Sequence, residues 1–328
     1  MHLAKRVLVV LGILILLAAV GLYVASILMI NNIFNQRVER FETTPEKLGL
    51  EAQVISLTSS DGIPLKAWWV PLKEDRLREL RGTVILLHGM DGMDASSMLG
   101  HSKFLHEEGY VTIALDMRAH GQSGGKRIGL GFEEWRDVSA ALDWVGQLPE
   151  LREKPVVLLG VSMGGAVAIR TAAMRSDVDA VISVSSFASV DRMIQNFMVG
   201  MGAPRILLSI MPPFIQLGIK TVYGVWPIVA SPLHDIPQIS PQPVFIIHGT
   251  ADDQVPVEHA YLLAEAIGGN GKLWIVQGGE HCVFQTIGLT TPLDQVYKEQ
   301  ILRFLDGIEV RRVSPPKDEN LFSDIDSK

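Results

Sequence analysis

The chain has 328 residues, 48% hydrophobic and 20% charged, with 30 Gly, 17 Pro and one Cys, a composition that excludes wholesale disorder, collagen-like repeats and a coiled coil. A formal charge of -7 without a long Lys/Arg cluster argues against a nucleic-acid partner and against electrostatic adhesion to a membrane surface. The lone Cys282 permits no intramolecular disulfide and leaves the redox compartment open.

The first element is apolar. No charge occurs from Val7 to Ile30, between Lys5 and Arg6 on one side and Arg37 and Arg40 on the other. As a helix this run is roughly 36 Å long, enough to cross a hydrocarbon core of about 30 Å, so it predicts a single N-terminal membrane span. The alternative is a cleaved signal, with small residues such as Ala18, Ala19, Gly21 and Ala25 near cleavage sites, but signal hydrophobic regions usually run only ~7 to 15 residues. Lys5 and Arg6 are nearly balanced by Arg37, Arg40 and Lys47, and long domains translocate largely regardless of charge. The expected placement is therefore a membrane protein whose main domain lies outside the cytoplasm.

Asn31 to Leu48 reads as a linker leading into one domain, 49–309. Gln53–Thr58 and Ile63–Val70 flank Asp61-Gly62, a hairpin signal, so the domain opens with antiparallel strands. Short apolar runs then recur (TVILLHG, YVTIALD, PVVLLG, AVISVSS, PVFIIHG and KLWIVQG), separated by helix-period stretches at Ser97–Glu108, Phe132–Gln147, Met163–Met174 and Val257–Ile267, with Leu293–Ile308 last. Buried strands alternating with helices predict an α/β fold with a mostly parallel sheet covered on both faces. The segment 187–233 breaks the alternation: it is rich in Met, Phe, Ile and Leu, and Pro204, Pro212, Pro213, Pro227 and Pro232 interrupt it. It reads as a small helical cap over one end of the sheet. The other reading is a second membrane-contacting element, since LLSIMPPFIQLGI is nearly uncharged, though the run is too short and too proline-broken to span. Val310–Lys328, charged and carrying Pro315-Pro316, reads as a mobile polar tail.

Chemistry is concentrated at strand ends. Gly160-Val161-Ser162-Met163-Gly164 closes the PVVLLG run and opens a helical stretch, the context a nucleophile elbow demands: buried strand, tight turn, helix N-terminus. The bland reading is a Gly-rich turn with Ser162 as a helix cap. A serine hydroxyl needs a base, and of nine histidines His281, in Gly278-Gly279-Glu280-His281 after the last strand, lies on a loop a parallel sheet would bring over the elbow. His2, His101, His106 and His259 read as solvated, His88 and His248 as loop-ordering residues at strand ends, and His120 and His234 as loop residues. The third member of a triad must accept the other ring N–H. The loop His248 to Pro256 offers Asp252 and Asp253, of which only one can point inward.

With the early His88-Gly89, the loop Asp116 to Ser123, the Gly160 to Gly164 elbow, the His248 to Pro256 loop and the late Gly279-Glu280-His281, the sequence from about Gln53 to Ile308 resembles the serine-hydrolase branch of the α/β-hydrolase superfamily. The resemblance implies that Asp252 rather than Asp253 is catalytic, and that the backbone N–H groups of Met90 and Met163 form an oxyanion hole. It gives the Asp116 to Ser123 loop a structural role, and Ser162 speaks against the aspartate-nucleophile members. No H-E-x-x-H zinc motif and no phosphate loop occurs, so neither a metal nor a cofactor is implied.

The function expected is that of a membrane-anchored serine hydrolase, an esterase or lipase-like enzyme whose substrate is a small-molecule or lipid ester. Phe187, Phe197, Phe214, Tyr223 and Trp226 in the cap favour an apolar substrate. Thioester cleavage and serine aminopeptidase activity use the same constellation, and a non-catalytic tethered binding module is the alternative of another class. The oligomeric state is not legible.

Overall fold

The computed structural model describes residues 2–38, 43–90, 92–285 and 288–309. The tail expected at 310–328 lies outside them. Strands β1 (Gln53–Thr58), β2 (Pro64–Val70), β3 (Gly82–Leu87), β4 (Tyr110–Asp116), β5 (Val156–Val161), β6 (Ala180–Val184), β7 (Val244–Gly249) and β8 (Gly271–Val276) form one sheet of order β1-β2-β4-β3-β5-β6-β7-β8. β2 pairs antiparallel with both β1 and β4, and every pairing from β4 to β8 is parallel. This is the α/β-hydrolase fold.

Side-chain alternation explains how the sheet is covered. Along β3, Ile85 and Leu87 join one apolar cluster and Val84 and Leu86 the other, as the two-residue period of a strand requires. On the first face lie helices α3 (Trp135–Val145), α4 (Met163–Met174) and α8 (Glu258–Ile267), contributing Val138, Val167 and Ala260. On the second lie α2 (Leu99–Glu107) and α9 (Pro292–Leu305), contributing Leu105 and Ile301. The chain steps from β3 to β4 on one side and to β5 on the other. The carboxyl ends of β3 and β5 are therefore the switch point at which open α/β sheets place their sites.

The segment between β6 and β7 carries α5 (Val190–Gly200), α6 (Arg205–Tyr223) and the short α7 (Pro232–Asp235). Here the structure differs from the sequence reading, because Pro212 and Pro213 do not break α6, which runs through them for 19 residues. The missing N–H groups cost the helix two of its own bonds. Packing offsets that loss, since Met211, Ile215, Gly218 and Ile219 are buried.

The N-terminal helix α1 (His2–Phe34) is longer than its apolar run, and its last turns are part of the domain. Ser26, Ile30 and Phe34 are buried, and the Ser26 hydroxyl donates to the Phe214 carbonyl at 2.8 Å. Beyond the helix, Ile128 N–H donates to Phe34 O, Val38 N–H to Ala119 O, and Arg37 to the Ser123 and Gly121 carbonyls. The first part of the segment read as a linker is thus fastened to the loop after β4.

Candidate active site

Ser162 sits between β5 and α4 with φ 54° and ψ −117°, a conformation L-residues rarely adopt. Two glycines make the turn possible. A Cβ at Gly160 would collide with the Gly164 backbone, and one at Gly164 with the carbonyls of Leu87 and His88. The Ser162 N–H donates to Val184 O at 2.7 Å, so the elbow is tied to the end of β6. Its side chain stands at the N-terminus of α4, where unpaired N–H groups favour negative charge.

The loop after β3 approaches from the other side: a Cβ on Gly89 would lie 3.4 Å from the Ser162 Cβ. Among the described residues neither Met90 N–H nor Met163 N–H donates to an acceptor, which leaves both available to an anionic oxygen. His88 orders this loop, with Nδ1–H donating to Gly89 O at 2.6 Å and Nε2 accepting Met117 N–H at 3.1 Å. Burial, followed by the neighbouring His120 ring, holds its pKa well below the usual histidine value.

Asp252, in the loop after β7, is buried, whereas Asp253 is exposed. Its carboxylate accepts the N–H groups of Gln254 and Val255 at 3.1 and 2.8 Å, and lies 3.0 and 2.8 Å from His281 Nδ1. Burial works to raise its pKa, but the hydrogen bonds from His248 and His281 outweigh it and hold the group well below the ordinary carboxylate range. His281 moves in the opposite direction. Burial works to lower its pKa, but the hydrogen bond to Asp252, with Cys282 beside it, lifts it above the usual histidine value. Nδ1–H facing a carboxylate leaves Nε2 as the ring nitrogen free to take a proton.

The structure joins Asp252 and His281 directly and brings Ser162 to the same edge through the backbone. Cys282 N–H donates to the Ser185 hydroxyl at 3.1 Å, Ser185 N–H to Ile247 O at 2.8 Å, and Ser162 N–H to the adjacent Val184 O. Among the described residues no hydrogen bond links the Ser162 hydroxyl to His281. Such contacts often tighten only when substrate is bound.

One supporting residue escapes the sequence reading, and a second does more than the loop ordering expected of it. Ser185, buried with φ 51°, pins the His281 turn, and no motif marks it. His248 orders its loop through Val255 O at 2.7 Å, but it also places Nε2 3.2 Å from the Asp252 carboxylate, a contact its position four residues before Asp252 could have suggested. Two histidines expected in solvent are buried instead. His101 bonds the Tyr297 hydroxyl at 2.9 Å; His259 accepts Ala188 N–H at 2.9 Å and lies 2.9 Å from Asn196. Their partners are distant in sequence, so a local reading cannot find them. The Asp116 to Ser123 loop is held by a buried ion pair between Arg118 and Asp137 at 2.7 Å and by the Asp116 carboxylate, which accepts the N–H groups of Ala95 and Gln122. No cluster of three or more His, Cys, Asp or Glu able to hold a metal occurs among the described residues.

Comparison with known proteins agrees with this architecture. The family model described as "Serine aminopeptidase, S33" matches residues 78–216. The uncharacterized protein YfhR of Salmonella typhimurium is 30% identical over 231 residues, 65% of this chain and 70% of that protein. The α/β-hydrolase domain-containing protein WAV2 of Arabidopsis thaliana is 28% identical over 274 residues, 81% of this chain and 82% of that protein. Among solved structures, an esterase of Pyrococcus furiosus superposes with a TM-score of 0.66 at 26% identity, covering 83% of this chain and 97% of that one. The eight-stranded sheet with its elbow at the switch point and the extent of these matches make the chain a member of the α/β-hydrolase superfamily.

Proposed function

We propose that the protein is a membrane-anchored serine hydrolase that cleaves acyl esters of apolar substrates. The observation that carries this reading is the hydrogen-bonded pair of buried Asp252 and half-buried His281 on the same sheet edge as the strained Ser162 turn. A carboxylate-held imidazole and a hydroxyl at a helix N-terminus are the components of acyl transfer. In the reaction Ser162 Oγ attacks the ester carbonyl while His281 Nε2 takes its proton, and the tetrahedral oxyanion is held by the N–H groups of Met90 and Met163. Collapse expels the alcohol, which receives that proton from His281, and leaves an acyl-serine. Water, deprotonated by His281, then releases the acid and restores the hydroxyl. Asp252 keeps the ring in one tautomer and balances the imidazolium charge.

Labelling with a fluorophosphonate tests the reading. Wild type reacts and Ser162→Ala does not; equal labelling of the two would remove the hydrolase assignment and leave a tethered binding module. The family model's description favours a second reading, an aminopeptidase. The Pyrococcus furiosus neighbour, described as an esterase, favours the first. Turnover of p-nitrophenyl acyl esters over aminoacyl p-nitroanilides is expected, and the reverse preference would assign the peptidase. The apolar N-terminal helix supports an anchor, and the domain is placed outside the cytoplasm because long domains translocate largely regardless of charge. Protease added to intact cells then cleaves the domain, and cleavage only after lysis would reverse the orientation.

A further inference from the structure

Helix α6 has three faces. Met211, Ile215 and Ile219 enter the core. Phe214, Gly218 and Thr221 meet α1: the Ser26 hydroxyl donates to Phe214 O, a Cβ on Gly218 would press on Ser26 and Ile30, and the Tyr23 and Thr221 hydroxyls are 2.8 Å apart. The third face, Ile206, Ile210, Pro213 and Leu217 at helical spacing, is exposed. No charge lies between Arg205 and Lys220 at the two ends of α6, and Trp226 and Ile228 are exposed just beyond it. At 3.6 residues per turn, the exposed stripe adjoins the α1 contact line, so its apolar surface merges with that of α1, exposed from Val7 to Val20. A soluble domain rarely leaves a contiguous apolar surface of this kind uncovered.

Length decides what covers it. From Val7 to Tyr23, whose hydroxyl meets Thr221 near the C-terminal end of α6, the helix rises about 24 Å, short of a hydrocarbon core of about 30 Å. A bilayer crossed by α1 therefore reaches the C-terminal end of α6, where Leu217 lies one turn from Thr221 and Trp226 and Ile228 follow. Tyr23 and Trp226 are the residue types that favour the interface, and Lys220 can extend its charge into the headgroups.

We infer that the C-terminal end of α6 is immersed in the near leaflet beside α1, with Leu217, Trp226 and Ile228 facing that leaflet, so that the segment between β6 and β7 takes lipid esters directly from it. This rests on reading α1 as a membrane span. The full-length chain, reconstituted in phosphatidylcholine vesicles containing doxyl-labelled lipid, tests it. Single variants Ile228→Cys, Leu217→Cys, Val9→Cys and Tyr261→Cys are labelled with bimane; the native Cys282 is buried, and Tyr261 lies exposed on α8. The doxyl lipid is expected to quench Val9→Cys, Ile228→Cys and Leu217→Cys at least about two-fold and to leave Tyr261→Cys unchanged. Quenching of Val9→Cys alone would overturn the immersion of α6 while the span stands. No quenching at any position would remove the span and the proposal together. Disulfide cross-linking of unlabelled Ile228→Cys between copies, without quenching of the labelled variant, would assign the face to a second copy and overturn the proposal. In a second measurement, Leu217→Glu/Ile228→Glu is expected to lower hydrolysis of a vesicle-borne long-chain ester about ten-fold relative to a short soluble ester. Equal rates relative to wild type on both would overturn delivery from the leaflet.

Discussion

Asp252 and Asp253 are neighbours of identical chemistry whose surroundings separate them. Asp252 is buried against His281 and His248 and accepts two backbone N–H groups, whereas Asp253 is exposed. Asp252→Asn is expected to lower kcat by about a thousand-fold or more, because an amide cannot hold the imidazole in the required tautomer; Asp253→Asn should stay within about two-fold. Comparable losses in steady-state ester hydrolysis would refute the distinction. In the proposed mechanism the same pair sets the pH response. His281 acts as base only when neutral, and the Asp252 carboxylate favours its charged form, so kcat/KM should rise with pH through a midpoint above the ordinary histidine value of about 6.5. Removing the carboxylate takes that support away, and in the residual activity of Asp252→Asn the midpoint should move to lower pH. A midpoint unmoved by the substitution would show that another group governs the limb. The convergence of Ser162, Asp252 and His281 on one sheet edge was legible because each follows a strand end, where chain order alone brings loops together. Ser185 was not, because its role depends on which hydroxyl meets the Cys282 N–H across the sheet edge.

At the scale of elements, the turn from β5 into α4 is the most constrained join. Gly164 packs so closely on β3 that a methyl group there would meet the Leu87 and His88 carbonyls, backbone atoms that cannot step aside singly. Gly164→Ala should therefore cost on the order of 3 kcal/mol in denaturant unfolding. Gly269→Ala, whose Cβ meets nothing within 4 Å, should change stability by less than about 0.5 kcal/mol. Similar midpoints for both would mean the elbow relaxes to admit a side chain. The sheet's strands were legible because buried strands write continuous apolar runs bounded by glycine. Helix α6 was less so. Two adjacent prolines signal a break locally, and only burial of Met211 on one side of them and Ile215 on the other keeps the helix continuous.

At the scale of the whole molecule, α1 is two things along one axis. Its first turns expose Val9 and Ile15, at 61% and 68%, while its last turns bury Ile30 and Phe34 almost completely against the domain. Nothing in an uninterrupted apolar run distinguishes the half left exposed from the half that meets protein, so a sequence reading ends the apolar element at Ile30 and begins a linker there. The consequence is mechanical. A helix whose end is core, and whose following residues Arg37 and Val38 are clipped to the loop after β4, holds the hydrolase domain at a fixed attitude. Truncating a fully buried Ile or Phe forfeits its transfer free energy and leaves a cavity, so Ile30→Ala and Phe34→Ala should each cost about 2 to 5 kcal/mol. Ile15→Ala, which removes no protein contact, should cost less than about 0.5 kcal/mol. Unfolding of the full-length chain in a mild detergent, followed by tryptophan fluorescence, measures all three. If Ile30→Ala and Phe34→Ala unfold at the midpoint of Ile15→Ala, the helix is a flexible tether, and the domain is free to turn relative to α1.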